Sequence, residues 1–310
     1  KWHVMRLLGD MIDSNLVNAK DYEFYFNRFL LEAKLELKKQ VIAEKKKAIE
    51  KAEDEKADKA LAYPSYDGEG ETKDSGNDDL SLYAVLLSQY YEKNSSVQAL
   101  FQQLLQSSDD RVKYNTMLLL LQKEKAVSDS LLRYFAAKDE YAYELYSDLK
   151  KYKKLDRFPG KYNNHTDLSR SKLLELKTYD KPDTVVYLDR LPASFKDKKG
   201  FVYFFRYKLK KDDDIWKLAS VGLVPEDEKQ FEFADNDRSE DYTHYYGYSP
   251  EPKGNFTGFC DTKIKDDEPI ADQLKEALKK LLYSAHRSGQ RFYDAKGYDE
   301  DEVTSSYMRR

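Results

Sequence analysis

A long stretch without helix-breaking residues restricts the fold more than any other feature of this sequence. Between positions 21 and 63 the chain contains neither Gly nor Pro, and Asp21 occupies a position typical of a helix N-cap. Apolar residues recur at helical spacing in the first half, so we expect that half to pack against other helices. From about Glu44 the residues are almost all Lys, Glu, Ala and Asp, which predicts a solvated helix that is held by ion pairs between neighbouring turns or else frays. Because the apolar positions stop near Ile49, the pattern does not favour a coiled coil.

Five short amphipathic helices are predicted after this segment, each with Asp or Ser at its capping position. The loops between them are only a few residues long, so successive helices should be antiparallel neighbours. The stretches "SSDDRVKYNTMLLLLQKEK" and "VSDSLLRYFAAKD" resemble a HEAT-type repeat. Because a solenoid needs about three or more repeats, the resemblance implies further repeats upstream or a neighbouring domain that caps the array. The predicted helices are Leu80–Glu92, Ser96–Gln106, Asp110–Lys123, Ser128–Ala137 and Glu140–Tyr152, capped by Asp79, Ser95, Asp109, Ser128 and Asp139.

A small antiparallel sheet is predicted in the second half of the chain. The stretch "DTVVYLDRL" alternates like a strand, and Pro192 is expected to end it. Residues Gly200–Val224 have the pattern of two strands joined by the acidic turn Asp212–Asp214, and a further strand is expected at "QFEFA". Aromatic and β-branched residues occupy both faces of this hairpin, which predicts that both faces are partly covered.

Two helices are expected to pack against this sheet. The first is Asp167–Lys177, capped by Thr166. The second is Pro269–His286, which follows a cap at Asp267 and stops at Gly289. The predicted fold class is therefore α+β, mostly α, with a long N-terminal helix, a short HEAT-like array and a small antiparallel sheet packed by helices.

These patterns divide the chain into five parts. The acidic stretch "PSYDGEGETKDSGNDD" is rich in Gly and Ser, a composition typical of a flexible linker. The predicted parts are a long helix with the end of a preceding element at 1–63, this linker at 64–79, HEAT-like repeats at 80–158, an α+β module at 159–290 and a disordered tail at 291–310.

Composition narrows the classes of protein to which the chain can belong. Its net charge of -4 argues against a nucleic-acid-binding protein, since these usually carry a basic face. No apolar run approaches the ~20 residues that span a bilayer. The single cysteine, Cys260, excludes an intrachain disulfide and a cysteine-rich zinc site. Tyrosine is abundant, with 26 residues, and its ring with a polar tip suits half-buried surfaces and interfaces.

The sequence contains no motif that assigns catalysis. It lacks a Gly-rich phosphate loop, a His-Glu-x-x-His helix and a Gly-x-Ser-x-Gly elbow. The acidic stretch Asp235–Asp241 begins like a calcium loop, but Glu240 stands where Gly is needed and Tyr246 where a bidentate Glu is needed. Cys260 has no assignable His partner and is not predicted to be a nucleophile. We therefore expect no catalytic residue, metal or cofactor in this region. The four histidines fall in four different elements: His3, His165, His244 and His286.

Two groups of aromatic residues are candidate binding sites. The stretch "DYTHYYGYSPEP" is rich in Tyr, Ser and Gly, as recognition loops are. Its candidate contact residues are Tyr242, His244, Tyr245, Tyr246 and Tyr248. The alternative is a pocket on the curved sheet, lined by Tyr187, Tyr203, Phe205 and Trp216. The first site predicts protein recognition, and the second predicts ligand binding or hydrolysis.

The order of elements also resembles a known bacterial architecture. Five segments follow one another between Tyr66 and about Pro225. They are an acidic linker, "LYAVLLSQYYEKNSSV", the "DDRVKYNTMLLLL" helix pair, "YELYSDLKKYKKLDRFPGKYNNHTDLSRSKLLE" and a strand pair ending "WKLASVGLVPED". This order is similar to the C-terminal region that some bacterial TraB/GumN-type proteins carry. The resemblance implies an envelope-associated protein with a metal-dependent hydrolase domain upstream. The Gly-His and Glu motifs of that domain have no counterpart here, so no catalytic residue is carried over.

Three functions are consistent with these patterns. The first is a non-catalytic scaffold or protein-interaction region of a larger bacterial protein, whose partner is unknown and for which an upstream domain of the same chain is a candidate. The second is a ligand-binding or hydrolase domain that uses the aromatic pocket. The third is a mechanical spacer in which the long Lys/Glu-rich helix sets a distance between domains. The cellular compartment stays open, and only the TraB/GumN resemblance points to the bacterial envelope.

Overall fold

The computed structural model describes residues 2–14, 16–57, 76–176, 182–195, 198–209, 215–226 and 256–294. The described residues are mostly helical and include a small antiparallel sheet, which confirms the predicted α+β class. The chain divides into two compact units, Lys1–Ser128 and Asp129–Arg310. This division falls inside the 80–158 range that the sequence pattern assigns to one array. Each unit is described by itself.

The first unit is built of helices around a central one. Its elements are α1 (Trp2–Asp13), a 3-10 helix (Ala19–Tyr25), α2 (Phe26–Ala57), α3 (Gly76–Ser88), α4 (Ser95–Leu105) and α5 (Asp110–Gln122). Helix α3 contacts α1, α2 and α5, so its side chains form the middle of the core. Among the largest fully buried residues of this core are Leu86 and Leu87 of α3, Phe101 of α4 and Tyr114 of α5.

The helix starts in this unit differ from prediction in three places. Asp21 does not cap α2; Asn18 caps the 3-10 helix, and the Asp21 carboxylate accepts from the Asn18 N–H at 2.8 Å in a capping box. Asn94 caps α4 instead of Ser95, because its side-chain oxygen accepts from two amides of the first turn. Helix α3 begins at Gly76, inside the last residues of the predicted linker. The Asp109 cap of α5 is confirmed.

The second unit combines three short helices with a sheet and a long final helix. Its main elements are α6 (Asp129–Ala136), α7 (Ala142–Lys151), α8 (His165–Glu175), β1 (Pro182–Phe195), β2 (Lys198–Leu209), β3 (Lys217–Val224), β4 (Gly258–Lys263) and α9 (Ile270–Asp294). Single 3-10 turns at Leu155–Arg157 and Gly160–Tyr162 lie between α7 and α8. The strands pair antiparallel in the order β1-β2-β3-β4. Strands β2 and β3 are the predicted hairpin; its turn, Asp212–Asp214, and the stretch "QFEFA" lie outside the described residues.

Two predicted element ends in this unit are wrong. Strand β1 continues through Pro192 to Phe195; it is an edge strand of the described sheet, where Pro is tolerated. Helix α9 continues through Gly289 to Asp294, and so enters the predicted tail. A single Gly weakens a helix by only about 1 kcal/mol and does not by itself end one.

Two predicted helix caps in this unit are also wrong. Asn164, not Thr166, caps α8, and its side-chain oxygen accepts from the Asp167 N–H at 2.9 Å. Asp139 caps no helix; it accepts a hydrogen bond from Arg170 at 2.8 Å.

The sheet is covered by a helix on each face, as the sequence predicts. On one face, Val202 and Phe204 pack with Leu274 of α9 in a buried apolar cluster. On the other face, Tyr203 lies against His165 of α8, with ring centroids 6.3 Å apart. All four residues from Val202 to Phe205 are buried, which confirms that both faces of the hairpin are covered.

Candidate functional site

The predicted recognition loop cannot be placed. Its residues Tyr242, His244, Tyr245, Tyr246 and Tyr248 lie outside the described part of the chain. That prediction therefore stays a prediction.

The predicted aromatic pocket is divided between the two faces of the sheet. Tyr187, Tyr203 and Phe205 lie together, with the Tyr187 ring centroid 6.2 Å from that of Tyr203 and 5.8 Å from that of Phe205. Tyr203 and Phe205 are buried, whereas Tyr187 is 36% exposed. The Tyr203 hydroxyl accepts from the Arg190 guanidinium at 3.0 Å. The three rings thus pack on one another on the α8 side of the sheet.

Trp216 lies on the opposite face, beneath two basic side chains. The Arg206 guanidinium is 4.4 Å from the Trp216 ring centroid, and the Lys208 ammonium is 5.3 Å from it. Because Arg206 pairs with Leu218 across the β2–β3 ladder, it shares the α9 side with the Leu218 cluster. The four predicted pocket residues therefore do not line one cavity.

A small cavity lies on the α9 side and includes Trp216. Its volume is about 280 Å³, slightly below the ~300–1,000 Å³ of most ligand sites. One wall is fixed by Gln273, which donates to the carbonyl oxygens of Lys265 at 2.8 Å and Glu268 at 2.9 Å. The hydrogen bond to Glu268 raises the pKa of Lys265. The lining residues are Leu188, Arg206, Trp216, Ile264, Lys265, Asp266, Glu268, Ile270 and Gln273.

Arg206 gives this cavity a chemical preference. Its Nε atom is buried and has no hydrogen-bond partner among the described residues. A guanidinium stacked on an indole and short of one acceptor suits a planar carboxylate.

The second candidate site is the outer face of α2 in the first unit. The inner face of this helix is buried through Phe29, Ala33 and Leu37. On the opposite side four aliphatic residues are 48% to 68% exposed: Leu31, Leu35, Ile42 and Ile49. At about 100° per residue these four side chains fall within an arc of about 40°. We call these four residues the apolar line.

Tyrosine hydroxyls fix the inner face of α2 and the segment before it. Tyr83 of α3 donates to the Glu32 carboxylate at 2.8 Å, and Tyr90 donates to the Ala19 carbonyl oxygen at 2.5 Å. Burial, and then the hydrogen bond to Glu32, raise the pKa of Tyr83. The Tyr22 ring lies edge-on to that of Tyr90, with centroids 5.7 Å apart. These contacts hold α2 against α3 and leave the apolar line facing away from that interface.

Basic residues border one edge of the apolar line and are neutralised within α2. Arg28 pairs with Glu32 at 3.0 Å, Lys39 with Glu36 at 2.9 Å, and Lys46 with Glu50 at 3.4 Å. Only Lys46–Glu50 lies in the half from Glu44 for which such ion pairs are predicted; the other two lie in the first half.

Sequence reasoning identified the helix but not this site. The signal was available, because Leu35, Ile42 and Ile49 follow one another at intervals of seven residues. The sequence does not show which of two apolar sides packs inside the unit, and the pattern was discounted because it stops near Ile49.

The chemistry of the remaining candidates is limited. Within the described ranges, no group of three or more His, Cys, Asp or Glu side chains is placed to hold a metal ion. Cys260 is half-buried in β4, where its carbonyl oxygen accepts from Tyr207 at 3.2 Å. His3, His165 and His286 lie in α1, α8 and α9, and His244 lies outside the described residues. Of the helices that are described, none is both long and apolar enough to cross a bilayer.

Comparison of the chain with protein-family models, with curated proteins and with solved structures found no match in any of the three.

Proposed function

We propose that this chain is a non-catalytic protein-interaction region and that the outer face of α2 is its binding surface. The observation that carries the proposal is the apolar line. Single exposed aliphatic side chains are common on protein surfaces and need no explanation. Four of them in one line, from Leu31 to Ile49, extend over about 27 Å of one helix.

The energetics of burial support this function. Fully burying one Leu or Ile side chain contributes about 1.5–3 kcal/mol. Covering the four residues of the apolar line therefore offers a partner several kcal/mol, before the entropic cost of association. The first half of α2, which carries Leu31 and Leu35, is also held in place before binding, because it packs on α3 through its opposite side.

The two resemblances noted in the sequence are compatible with this function, but the function does not depend on them. The HEAT-like resemblance implies a helical array that holds such a surface as part of a scaffold. The TraB/GumN resemblance implies an upstream catalytic domain and the bacterial envelope, and it makes that domain a candidate partner. Both stay predictions.

Photo-crosslinking tests the interaction proposal. A photoreactive amino acid is placed at Ile42, in the apolar line, and at Lys150, an exposed control position in α7. In the cells that make the protein, we expect a discrete crosslinked product from position 42 and none of that size from position 150. Crosslinks of equal yield and pattern from both positions, or none from position 42, would show that α2 binds no partner.

A second candidate function is supported by the cavity beside Trp216. Arg206 and Trp216 line this cavity, and a guanidinium beside an indole suits a small aromatic carboxylate, so we propose ligand binding by the second unit as the alternative. The chain has only two tryptophans, so a Trp2→Phe variant reports Trp216 fluorescence alone. Titration with benzoate should quench that fluorescence to saturation, and Arg206→Gln should abolish the effect. A linear, non-saturating response in both variants would exclude this site.

A further inference from the structure

The spacing of the apolar line fits one kind of partner, an α-helix. Leu35, Ile42 and Ile49 are each seven residues apart, and Leu31 precedes Leu35 by four. These are the intervals of the a and d positions at which two helices meet along a seam. The four residues fall within about 40°, as narrow as a two-helix seam, although Val41 is also exposed outside this arc. The seven-residue spacing therefore points to a helix as the partner.

Three lysines border the other edge of the apolar line. Lys34, Lys38 and Lys45 are exposed, and at about 100° per residue they fall within about 40° of one another. Unlike Arg28, Lys39 and Lys46 on the opposite edge, they form no ion pair with any residue that the structure describes. We call these three residues the lysine flank.

The lysine flank determines the charge that the partner helix must carry. Lys38 and Lys45 follow Leu31 at intervals of seven residues, so they occupy the d positions of the same seam. In a parallel pair of two copies, each of these ammonium groups would lie beside its own equivalent, which is repulsive. Carboxylates at the facing positions of a partner would instead form ion pairs while the aliphatic residues are covered.

We propose that the apolar line and the lysine flank together bind an amphipathic helix with an aliphatic seam and Glu or Asp along one side of it. This inference rests on the proposed interaction function and adds the chemistry of the partner. Aliphatic contacts supply affinity, and the lysines select the acidic helix and fix its register and direction.

Two synthetic helices test the charge preference. Both carry Leu and Ile at the positions that face the apolar line, and they differ only at the positions that face or flank the three lysines, which are Glu in one helix and Lys in the other. Fluorescence anisotropy with the full chain should show that the acidic helix binds at least about tenfold more tightly than the basic one. Raising the salt concentration should weaken the acidic complex, because its flanking charges are exposed.

A charge exchange separates recognition from damage to the fold. The triple variant Lys34→Glu, Lys38→Glu and Lys45→Glu should reverse the preference, so that the basic helix binds more tightly. The control reverses three exposed lysines of α9: Lys275, Lys279 and Lys280. It should keep the wild-type preference. A reversal is a gain of binding, which an unfolded variant does not give.

Three outcomes would overturn the inference. The first is equal binding of both helices to the wild-type chain. The second is binding to vesicles of anionic lipid that is abolished by Ile42→Asp, with no binding of either helix. The third is a dimer of the chain in analytical ultracentrifugation that Ile42→Asp dissociates. If position 42 crosslinks to a partner in cells while the charge exchange has no effect, the interaction function stands and only the acidic partner is wrong.

Discussion

The phenol of Tyr22 donates a hydrogen bond to the main-chain carbonyl oxygen of Leu86 at 2.9 Å, across 64 residues of sequence. Leu86 lies in the last turn of α3, where carbonyl oxygens have no N–H donor within the helix. One side chain thus satisfies the end of α3 and fixes the segment that leads into α2.

Removing that hydroxyl should destabilise the first unit. Tyr22→Phe keeps the buried ring but leaves the Leu86 carbonyl without its partner, which costs about 1–2 kcal/mol of the free energy of unfolding. Amide hydrogen exchange in α3 measures the loss. Tyr25→Phe, on an exposed ring, is the matched control and should change exchange by less than about 0.5 kcal/mol. Equal exchange in the two variants would contradict the role given to Tyr22.

Alkaline pH should destabilise the same unit through its buried tyrosines. Burial raises the pKa of Tyr22 and of Tyr83 above the ordinary value of 10.0. The unfolded chain therefore loses these protons at a lower pH than the folded chain does. The stabilisation is fully present below pH 10 and decreases as pH rises toward the folded pKa values. Urea unfolding from about pH 9 to about pH 11 should show this decrease, and the double variant Tyr22→Phe, Tyr83→Phe should reduce its slope. An unchanged slope in the double variant would contradict the assignment.

Strands β2 and β3 approach each other so closely at Gly200 that no side chain fits there. A Cβ atom at Gly200 would collide with the carbonyl oxygen of Val224, which is backbone and has little freedom to move. Gly200→Ala should destabilise the second unit by about 1–3 kcal/mol in thermal unfolding. Gly258→Ala, in the same sheet, is the control, because no atom lies within 4 Å of its added Cβ. Equal stability of the two variants would show that β2 and β3 separate easily at this point.

The two sides of α2 should respond differently to truncation. Leu37→Ala removes a buried side chain and should cost about 2–4 kcal/mol of the free energy of unfolding. Leu35→Ala removes an exposed one and should change stability by no more than about 0.5 kcal/mol, since Ala is also a good helix former. Urea unfolding of both variants measures the difference. A cost above about 1 kcal/mol for Leu35→Ala would show that the apolar line already packs inside the chain.

Local patterns predicted the sheet and the helices that cover it. They could not predict the pairing register of the strands, which determines the side chains that meet on each face. Alternation predicted β1, aromatic and β-branched residues predicted β2 and β3, and capping residues indicated α8 and α9. The shift in β1 pairing between Tyr187 and Asp189 is a bulge that no local pattern shows. Pairing places Tyr187 opposite Phe205, with the α8-side rings, whereas Trp216 borders the α9-side cavity. Because cross-strand pairing cannot be read locally, the sequence predicts one pocket from residues that lie on opposite faces.

The ends of helices and strands were predicted less well, because they too depend on contacts that a local pattern does not show. Asn18, Asn94 and Asn164 act as caps although an Asp, Ser or Thr one to three residues later gives an equally plausible start. The sequence predicts a strand end at Pro192, because an edge strand cannot be distinguished from a central one before the strand order is known.

The most direct test of the interaction function is the accessibility of position 42. In a chain whose Cys260 is replaced by Ser, Ile42→Cys and the control Lys150→Cys each introduce one thiol. With purified protein, both should react with a maleimide at similar rates, since both positions are exposed. In the cells that make the protein, the thiol at position 42 should react at least about tenfold more slowly while the control is unchanged, because a bound partner covers the apolar line. Equal rates at position 42 in cells and in purified protein would contradict a binding role for α2.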